Sequence, residues 1–152
     1  MFHRYRHESA IYSSLSRIPL HVRMKLDVTG IKLSLKDWLA FKVDERAVLC
    51  HLPVETEEEK QVFSSYLDFL SRRTCGAPVT TTLAMSTSVW ESAGEVPGPV
   101  AGKSAPKIPP VTIEEWRHWK SHQRYALYKT ALSQSEPEQF FAVLEEFREL
   151  ED

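Results

Sequence analysis

Histidine and cysteine are the residues of this 152-residue chain whose positions come nearest to a metal-binding or catalytic arrangement. His118 and His122 lie four positions apart, which is the spacing of two zinc ligands on one helix. However, no glutamate follows His118, and no third and fourth ligands stand nearby in the sequence. Cys50 and His51 are adjacent and flanked by leucines, which favours core packing over a nucleophile paired with its base. The chain is therefore predicted to have no metal site, no cofactor and no catalytic residue.

The remaining charged residues support neither an acid–base pair nor a nucleic-acid interface. Glu57–Glu59 are consecutive, so a helix would spread these carboxylates around its first turn instead of directing two of them at a substrate. The net charge is -2, whereas phosphate-binding proteins usually show a basic excess. There is no long apolar run and no secretory signal, and Cys50 and Cys75 form no disulfide pattern. These features predict a cytoplasmic protein without a nucleic-acid or membrane partner.

One stretch differs in composition from the rest of the chain. Residues 75–110 contain four of the five glycines and six of the nine prolines, together with many serines and threonines. Such a composition cannot hold a long helix, and it predicts a linker from about 75 to 110. Residues 82–90 carry enough apolar side chains to pack against a neighbour, and we expect a mobile tail around Gly94–Lys103.

The sequences on the two sides of this linker are alike. Leu33–Trp38 aligns with Val111–Trp116 at an offset of 78 residues (116 − 38), and the same offset pairs Arg46 with Arg124. The alignment continues without a gap into the residues that follow. An ungapped match of this kind predicts an internal duplication.

We therefore predict an all-α fold, in which a single helical domain, 1–152, contains two pseudo-repeated three-helix units. Repeat one covers about 31–73, and repeat two covers about 111–150. N-terminal helices precede repeat one, and the linker rich in proline, glycine, serine and threonine joins the repeats. Trp38 and Trp116 occupy equivalent positions and are expected to anchor the core.

Capping residues indicate where several of these helices start. Ser34 and Thr112 can each accept a hydrogen bond from the backbone N–H three residues on, where Asp37 and Glu115 stand. Glu115 fits a capping box well, whereas the shorter Asp37 fits less well. Thr56 opens another capping box ahead of an acidic first turn, which predicts the start of the third helix of repeat one.

The third helix of each repeat is predicted from an apolar stripe at helical spacing. In repeat two, we expect the helix to start near Ser135, with Pro137 in its first turn. The stripes consist of Val62, Phe63, Tyr66, Phe69 and Leu70 in repeat one, and of Phe140, Phe141, Leu144 and Phe147 in repeat two. These side chains are expected to face the core.

The segment 19–29 is compatible with two structures. Pro19 can begin a helix and Gly30 can end one, which favours a helix. The alternating apolar residues from Leu20 to Val28 would instead suit a strand. Because no partner strand is evident elsewhere in the sequence, the helix is the preferred interpretation.

Several longer segments of the sequence resemble those of a known family. Ile18–Asp27 followed by Gly30–Leu33 resembles the N-terminal signature of the bacterial nitrate-reductase-associated protein family. Leu52–Thr56 continues the resemblance, and so do Gln123–Lys129 and Phe141–Phe147 in the second half. The similarity covers most of the chain except the linker and the first few residues.

The resemblance implies a small non-catalytic factor that an assimilatory, molybdenum-containing nitrate reductase needs in order to become active. Its partners would be the nitrate reductase apoenzyme or the proteins that deliver the molybdenum cofactor. The chain also departs from the family pattern, because Arg17 and Val54 stand where the family often has cysteines. This difference argues against a cysteine-based metal or redox role.

The predicted partner contacts are the polar residues of the segments that resemble the family. They are Arg23, Lys25, Asp27, Arg124 and Lys129. Two other functions stay open from the sequence. One is a small enzyme or cofactor-handling protein in molybdenum-cofactor or nitrogen metabolism, and the other is a regulatory binding module unrelated to nitrate.

Overall fold

A computed structural model of the chain describes residues 2–92, 94–105 and 109–150. These residues are mostly helical, and their β structure is one antiparallel pair of two-residue strands. The all-α class predicted from the sequence is thus confirmed for the described part of the chain. In the same residues, no helix combines the length and the apolar character needed to cross a membrane.

The chain divides into two compact units. The N-terminal unit comprises Met1–Arg4 and Glu8–Ser86, and the C-terminal unit comprises Tyr5–His7 and Thr87–Asp152. The C-terminal unit therefore includes a short piece from the beginning of the chain. The bounds predicted for the two repeats stay predictions.

Short and medium helices follow one another along the chain. In order, the elements are a 3-10 helix (Arg6–Ile11), α1 (Leu20–Thr29), β1 (Ile31–Lys32), α2 (Leu35–Ala40), α3 (Val43–His51), α4 (Glu57–Cys75), β2 (Thr80–Thr81), α5 (Ser88–Glu91), α6 (Gly98–Ser104), α7 (Ile113–His118), α8 (Ser121–Leu132) and α9 (Gln139–Leu150). Helices α2 and α7 start 78 residues apart (113 − 35), and so do α3 and α8 (121 − 43). The order α2–α3–α4 thus has a counterpart in α7–α8–α9.

The helix predicted for 19–29 is confirmed as α1. Pro19 stands at its N-cap, and Gly30 ends it in the left-handed conformation with φ 72°. A Cβ atom at Gly30 would lie 2.6 Å from the backbone oxygen of Thr82, so this position requires glycine for space as well as for conformation. The close approach arises because β2 pairs with β1 directly after α1.

The predicted capping residues occupy the predicted places. The Ser34 hydroxyl accepts the N–H of Asp37 at 3.1 Å, and the hydroxyl of Thr112 accepts the N–H of Glu115 at 3.2 Å. The Glu115 carboxylate closes the capping box by accepting the backbone N–H of Thr112 at 3.1 Å. Thr56 begins α4 with a complete capping box.

Two details of the third helices were predicted wrongly. In α4, the buried apolar residues are Phe63, Leu67 and Leu70, whereas Val62 and Phe69 are 56% and 57% exposed. The stripe that faces the core is narrower than predicted, and these two side chains lie about 100° away from it around the helix.

In the C-terminal unit, the third helix begins later than predicted. Helix α9 starts at Gln139 and not near Ser135. The hydroxyl of Ser133 accepts the N–H of Glu136 at 3.2 Å, so a local side-chain turn precedes the helix. Phe141 is only half-buried, while the other members of its predicted stripe are buried.

The predicted linker contains two helices that its composition did not suggest. Helices α5 and α6 lie within 75–110, and α6 falls in the part where we expected a mobile tail. Trp90 in α5 and Val100 in α6 are buried, so single apolar anchors hold these short helices against the C-terminal unit. Residues 93 and 106–108 of the predicted linker lie outside the described residues.

Candidate functional site

Helix α1 carries three of the five predicted contact residues, and it places them in different environments. Arg23 is exposed, Asp27 is half-buried, and Lys25 is buried with 1% of its surface accessible. The backbone oxygen of Asp27 accepts the N–H of Met85 at 2.8 Å. Arg23 is therefore the member of this group that is presented at the surface.

The Lys25 ammonium group caps the C-terminal end of α3. It donates hydrogen bonds to the backbone oxygens of Leu49 at 3.2 Å and Cys50 at 2.6 Å. The last carbonyls of a helix carry partial negative charge and have no partner within the helix, so a cation is favourable there. Burial nevertheless lowers the pKa of Lys25 to about 8, because desolvation disfavours the charged form.

Cys50 lies beside this lysine and is also buried. Burial raises the pKa of its thiol to about 11, although the charge of Lys25 acts in the opposite direction. The thiol is thus protonated at neutral pH, and a protonated thiol is a poor nucleophile and a poor metal ligand. This environment agrees with the core-packing interpretation of Cys50.

Glu8 and His21 organise the other end of α1. The Glu8 carboxylate accepts the N–H of Leu20 at 2.8 Å and the hydroxyl of Tyr12 at 2.8 Å. It thereby supplies the acceptor that Pro19, at the N-cap, lacks. Nδ1 of the buried His21 accepts the backbone N–H of His3 at 2.9 Å, which fixes the start of the chain against α1. Burial raises the pKa of Glu8.

A tryptophan and an arginine eight residues apart hold together the start of α3 and the preceding helix, α2. The guanidinium group of Arg46 donates from Nε to the backbone oxygen of Trp38 at 2.9 Å, and from Nη2 to those of Leu39 and Phe41 at 2.8 Å each. Its Nη1 and the indole N–H of Trp38 both donate to the backbone oxygen of Leu15, at 3.3 and 2.8 Å. We call this arrangement the N-terminal clasp.

The C-terminal unit contains a second arrangement of the same kind, the C-terminal clasp. Nε of Arg124 donates to the backbone oxygen of Trp116 at 2.8 Å, and Nη2 donates to that of Arg117 at 2.8 Å. Nη1 reaches the backbone oxygen of Glu91 at 2.8 Å, and the indole N–H of Trp116 donates to that of Ser92 at 3.2 Å. Arg124 was predicted as a partner contact, but these three hydrogen bonds of its guanidinium group stabilise the fold of its own unit.

The five predicted contact residues are divided between the two units. Arg23, Lys25 and Asp27 lie in the N-terminal unit, whereas Arg124 and Lys129 lie in the C-terminal unit. Lys129 is half-buried in the last turn of α8. Of these residues, Arg23 keeps the exposure that a contact with another protein requires.

The sequence contains a signal from which the clasps could be predicted. Arginine follows tryptophan by eight positions on both sides of the linker, and the residues between them include the end of one helix and the start of the next. A guanidinium group with five N–H donors suits such a junction, because several carbonyls are left without partners there. The sequence contains no comparable signal that Glu8 caps α1.

No group of three or more histidine, cysteine, aspartate and glutamate side chains suited to a metal ion occurs in 2–92, 94–105 and 109–150. An open groove of about 440 Å³ runs beside α1 and α4. Its lining contains one lysine, Lys60, which pairs with Glu57 at 3.3 Å, and it is otherwise made mainly of small polar and apolar residues.

Comparison with known proteins identifies the family of the chain. A family model described as the conserved nitrate reductase-associated protein matches residues 4–147. No curated protein and no solved structure matches the chain. Since the match covers nearly the whole sequence, the chain belongs to the conserved nitrate reductase-associated protein family.

Proposed function

We propose that this member of the conserved nitrate reductase-associated family is a non-catalytic maturation factor for a molybdenum-dependent assimilatory nitrate reductase. It binds the apoenzyme, or the proteins that deliver the cofactor, in the cytoplasm and holds a form that can accept the cofactor. The observation that carries this proposal is the family match over residues 4–147. The match links the chain to nitrate reductase, and the mode of action is our inference.

The environment of the buried polar groups supports a binding role. Lys25 and Arg46 direct their donors at backbone carbonyls, and so does the half-buried Arg124. Burial raises the pKa of the Cys50 thiol from 9.0 to about 11, so the thiol stays protonated even in mildly alkaline solution. These groups stabilise helix ends and helix junctions, so they make a firm framework on which a recognition surface can be displayed.

The function is tested first in cells that lack the gene and grow on nitrate. We expect nitrate reductase activity to be lost while the reductase polypeptide is still present on an immunoblot. Adding the purified chain to the apoenzyme, together with a source of molybdenum cofactor, should restore activity. Unchanged activity in the deletion strain would contradict the proposal, and turnover of a substrate by the purified chain alone would favour an enzyme instead.

The contact residue is tested separately. Replacing the exposed Arg23 with alanine should weaken binding to the apoenzyme about tenfold if it anchors the interface. Lys32→Ala is the matched control, because Lys32 is an exposed cation of the same unit outside α1. Equal binding by both variants would exclude Arg23 from the interface without affecting the proposed function itself.

A further inference from the structure

Residues 2–4, which belong to the N-terminal unit, lie against the first turn of α1, and we call them the N-terminal strap. Nδ1 of His21 accepts the backbone N–H of His3 at 2.9 Å, and the ring centroids of the two histidines lie 4.7 Å apart. His21 is 4% exposed. An imidazole nitrogen can accept a hydrogen bond only while it carries no proton. The strap is therefore held on α1 by the neutral form of His21.

Aromatic contacts extend the strap from α1 to the C-terminal end of α3. The ring centroid of Phe2 lies 5.6 Å from that of His51 and 5.5 Å from that of Tyr12, both in edge-to-face arrangements. Cys50, which precedes His51, is 1% exposed. Burial raises the pKa of its thiol, and the charge of Arg4 acts against this rise, so the strap lies near the thiol as well. The end of α3 is thus covered by the strap.

The titratable groups around His21 are mostly cationic, or become cationic when they bind a proton. They are His3 and Arg4 of the strap, Arg23 and Lys25 of α1, Cys50 and His51 of α3, and Glu8 and Tyr12, which contact the start of α1. Glu8 is the carboxylate of this group, and it already accepts the backbone N–H of Leu20 and the hydroxyl of Tyr12. A proton added to His21 therefore meets more positive than negative charge.

Protonation of His21 would turn the bond that holds the strap into a repulsive contact. Protonated Nδ1 is a donor, and it would face the backbone N–H of His3, which is also a donor. The Phe2 ring offers little compensation, because its centroid lies 6.3 Å from that of His21, outside the range of about 6 Å for a cation–π contact. Phe2 also has the guanidinium group of Arg4 5.2 Å from its ring centre. Imidazole side chains ordinarily titrate near a pH of about 6.5, so a mildly acidic solution is enough for this change.

We propose that the N-terminal strap is a pH-dependent cover, which is closed over the end of α3 when His21 is neutral and released when His21 is protonated. Release makes the buried Cys50 accessible to solvent. The strap thereby couples the charge of one side chain in α1 to the accessibility of a thiol in α3. This switch rests on contacts within the N-terminal unit and is independent of the function proposed above.

The first measurement follows the strap itself in the full chain, without a tag before Met1. Heteronuclear NOE values of the backbone amides of residues 2–4 report motion of the strap on the picosecond to nanosecond timescale. We expect ordered amides at about pH 7 and mobile amides at about pH 5, with the same helical content by circular dichroism at both. The midpoint of release should coincide with the titration of the His21 ring, followed through its Cε1–H chemical shift.

His21→Asn tests the role of the imidazole, because asparagine can offer an acceptor near the position of Nδ1 but does not titrate. Cys75→Ser is introduced into every protein, so that Cys50 is the only thiol. At about pH 7, Cys50 should react with dithiodipyridine equally slowly with histidine or asparagine at position 21, and at about pH 5 roughly tenfold faster with histidine. Comparison at one pH cancels the intrinsic pH dependence of the thiol. His118→Asn, at an exposed histidine of the C-terminal unit, is the matched control and should leave the switch unchanged.

Four results would overturn the proposal: a strap that stays ordered at about pH 5, release at the same pH in His21→Asn, a release midpoint different from that of the His21 ring, or an unchanged reaction rate of Cys50. Loss of helical content over the same pH range would show general acid unfolding and would exclude a local switch. If asparagine fails to hold the strap, residues 2–4 of that variant will be mobile at both pH values. That result would identify the acceptor on His21 as the anchor, and the agreement of the two midpoints in the histidine protein would then decide the proposal.

Discussion

The two clasps are built from the same residues at the same spacing, but they differ in depth. In each, the arginine donates from Nε to the backbone oxygen of the tryptophan eight residues earlier. Arg46 is 8% exposed and makes five hydrogen bonds to carbonyls, whereas Arg124 is half-buried and makes three. The local sequence therefore determines the contact between arginine and tryptophan. The segment that packs over each clasp determines how deeply the arginine is buried.

The covering chain differs between the clasps. In the N-terminal clasp, the backbone oxygen of Leu15 accepts both the indole N–H of Trp38 and the guanidinium group of Arg46. Leu15 has φ 51°, a left-handed conformation that costs a non-glycine residue on the order of 1–2 kcal/mol. In the C-terminal clasp, the backbone oxygen of Glu91 accepts the guanidinium group of Arg124, and that of Ser92 accepts the indole N–H of Trp116. The backbone oxygen of Ser14 also accepts Nη1 of Arg46, at 3.3 Å, so each clasp uses two neighbouring residues as acceptors. The left-handed Leu15 is the feature of the covering segment that distinguishes the N-terminal clasp.

The largest effect is expected from removing each arginine in turn. Arg46→Ala should lower the free energy of unfolding by about 4 kcal/mol. It removes three hydrogen bonds of 2.8–2.9 Å, worth roughly 1 kcal/mol each, and two weaker ones of 3.3 Å. Arg124→Ala should cost about 2 kcal/mol, because fewer bonds are lost and water can reach some of the freed carbonyls. Urea unfolding followed by circular dichroism measures both values.

Lysine replacements serve as controls for these variants. Arg46→Lys and Arg124→Lys keep the charge but cannot reproduce the fork of donors, so each should recover only part of the loss. Equal destabilisation by Arg46→Ala and Arg124→Ala would show that burial does not distinguish the clasps, contrary to the comparison above.

A second difference concerns α1 and α6, which precede the clasps. Lys25 in α1 and Lys103 in α6 are 78 residues apart (103 − 25), yet Lys25 is buried and Lys103 is half-exposed. Burial lowers the pKa of Lys25 from 10.5 to about 8, so the folded protein releases this proton before the unfolded chain does. The contribution of Lys25 to the free energy of unfolding should therefore rise as the pH increases from about 8 toward 10.5.

Lys25→Met tests this pH dependence, because methionine keeps most of the buried stem and cannot titrate. From pH 7 to pH 9, the stability of the unaltered protein relative to Lys25→Met should increase by on the order of 1 kcal/mol. The measurement stops at pH 9, because the Cys50 thiol, whose pKa is raised from 9.0 to about 11, acts in the opposite direction above that value. If the difference in free energy of unfolding between the two proteins did not change with pH, the lowered pKa of Lys25 would be contradicted.

Much of the fold follows from local signals in the sequence. The bounds of α1 follow from Pro19 and Gly30, and the starts of α2, α4 and α7 follow from hydroxyl side chains at their N-caps. These residues act through bonds to neighbours in the chain, so their effect can be predicted without tertiary structure. Trp38 and Trp116 are both fully buried, at positions that the alignment of the two halves had singled out.

The remaining features depend on distant contacts. Lys25 was predicted as a partner contact because it is a polar residue of a segment that resembles the family, but its acceptors, Leu49 and Cys50, lie 24 and 25 residues away. Helices α5 and α6 were missed because proline and glycine dominate their composition, while the apolar anchors Trp90 and Val100 are single residues. Long-range partners of this kind leave no periodic pattern in the sequence.

The smallest expected effect compares the caps of α2 and α7, the helices that carry the two tryptophans. Thr112→Ala should cost about 1 kcal/mol, because it opens a capping box whose Glu115 also pairs with Arg148 at 2.9 Å. Ser34→Ala should cost about 0.5 kcal/mol, since Asp37 does not close a box and the cap is a single hydrogen bond. Urea unfolding measures the loss, with Ser34→Thr and Thr112→Ser as controls that keep the acceptor. A larger loss of unfolding free energy from Ser34→Ala than from Thr112→Ala would contradict this expectation. It would mean that the burial of the nearby clasp, and not the number of hydrogen bonds in the cap, decides how much each cap contributes to stability.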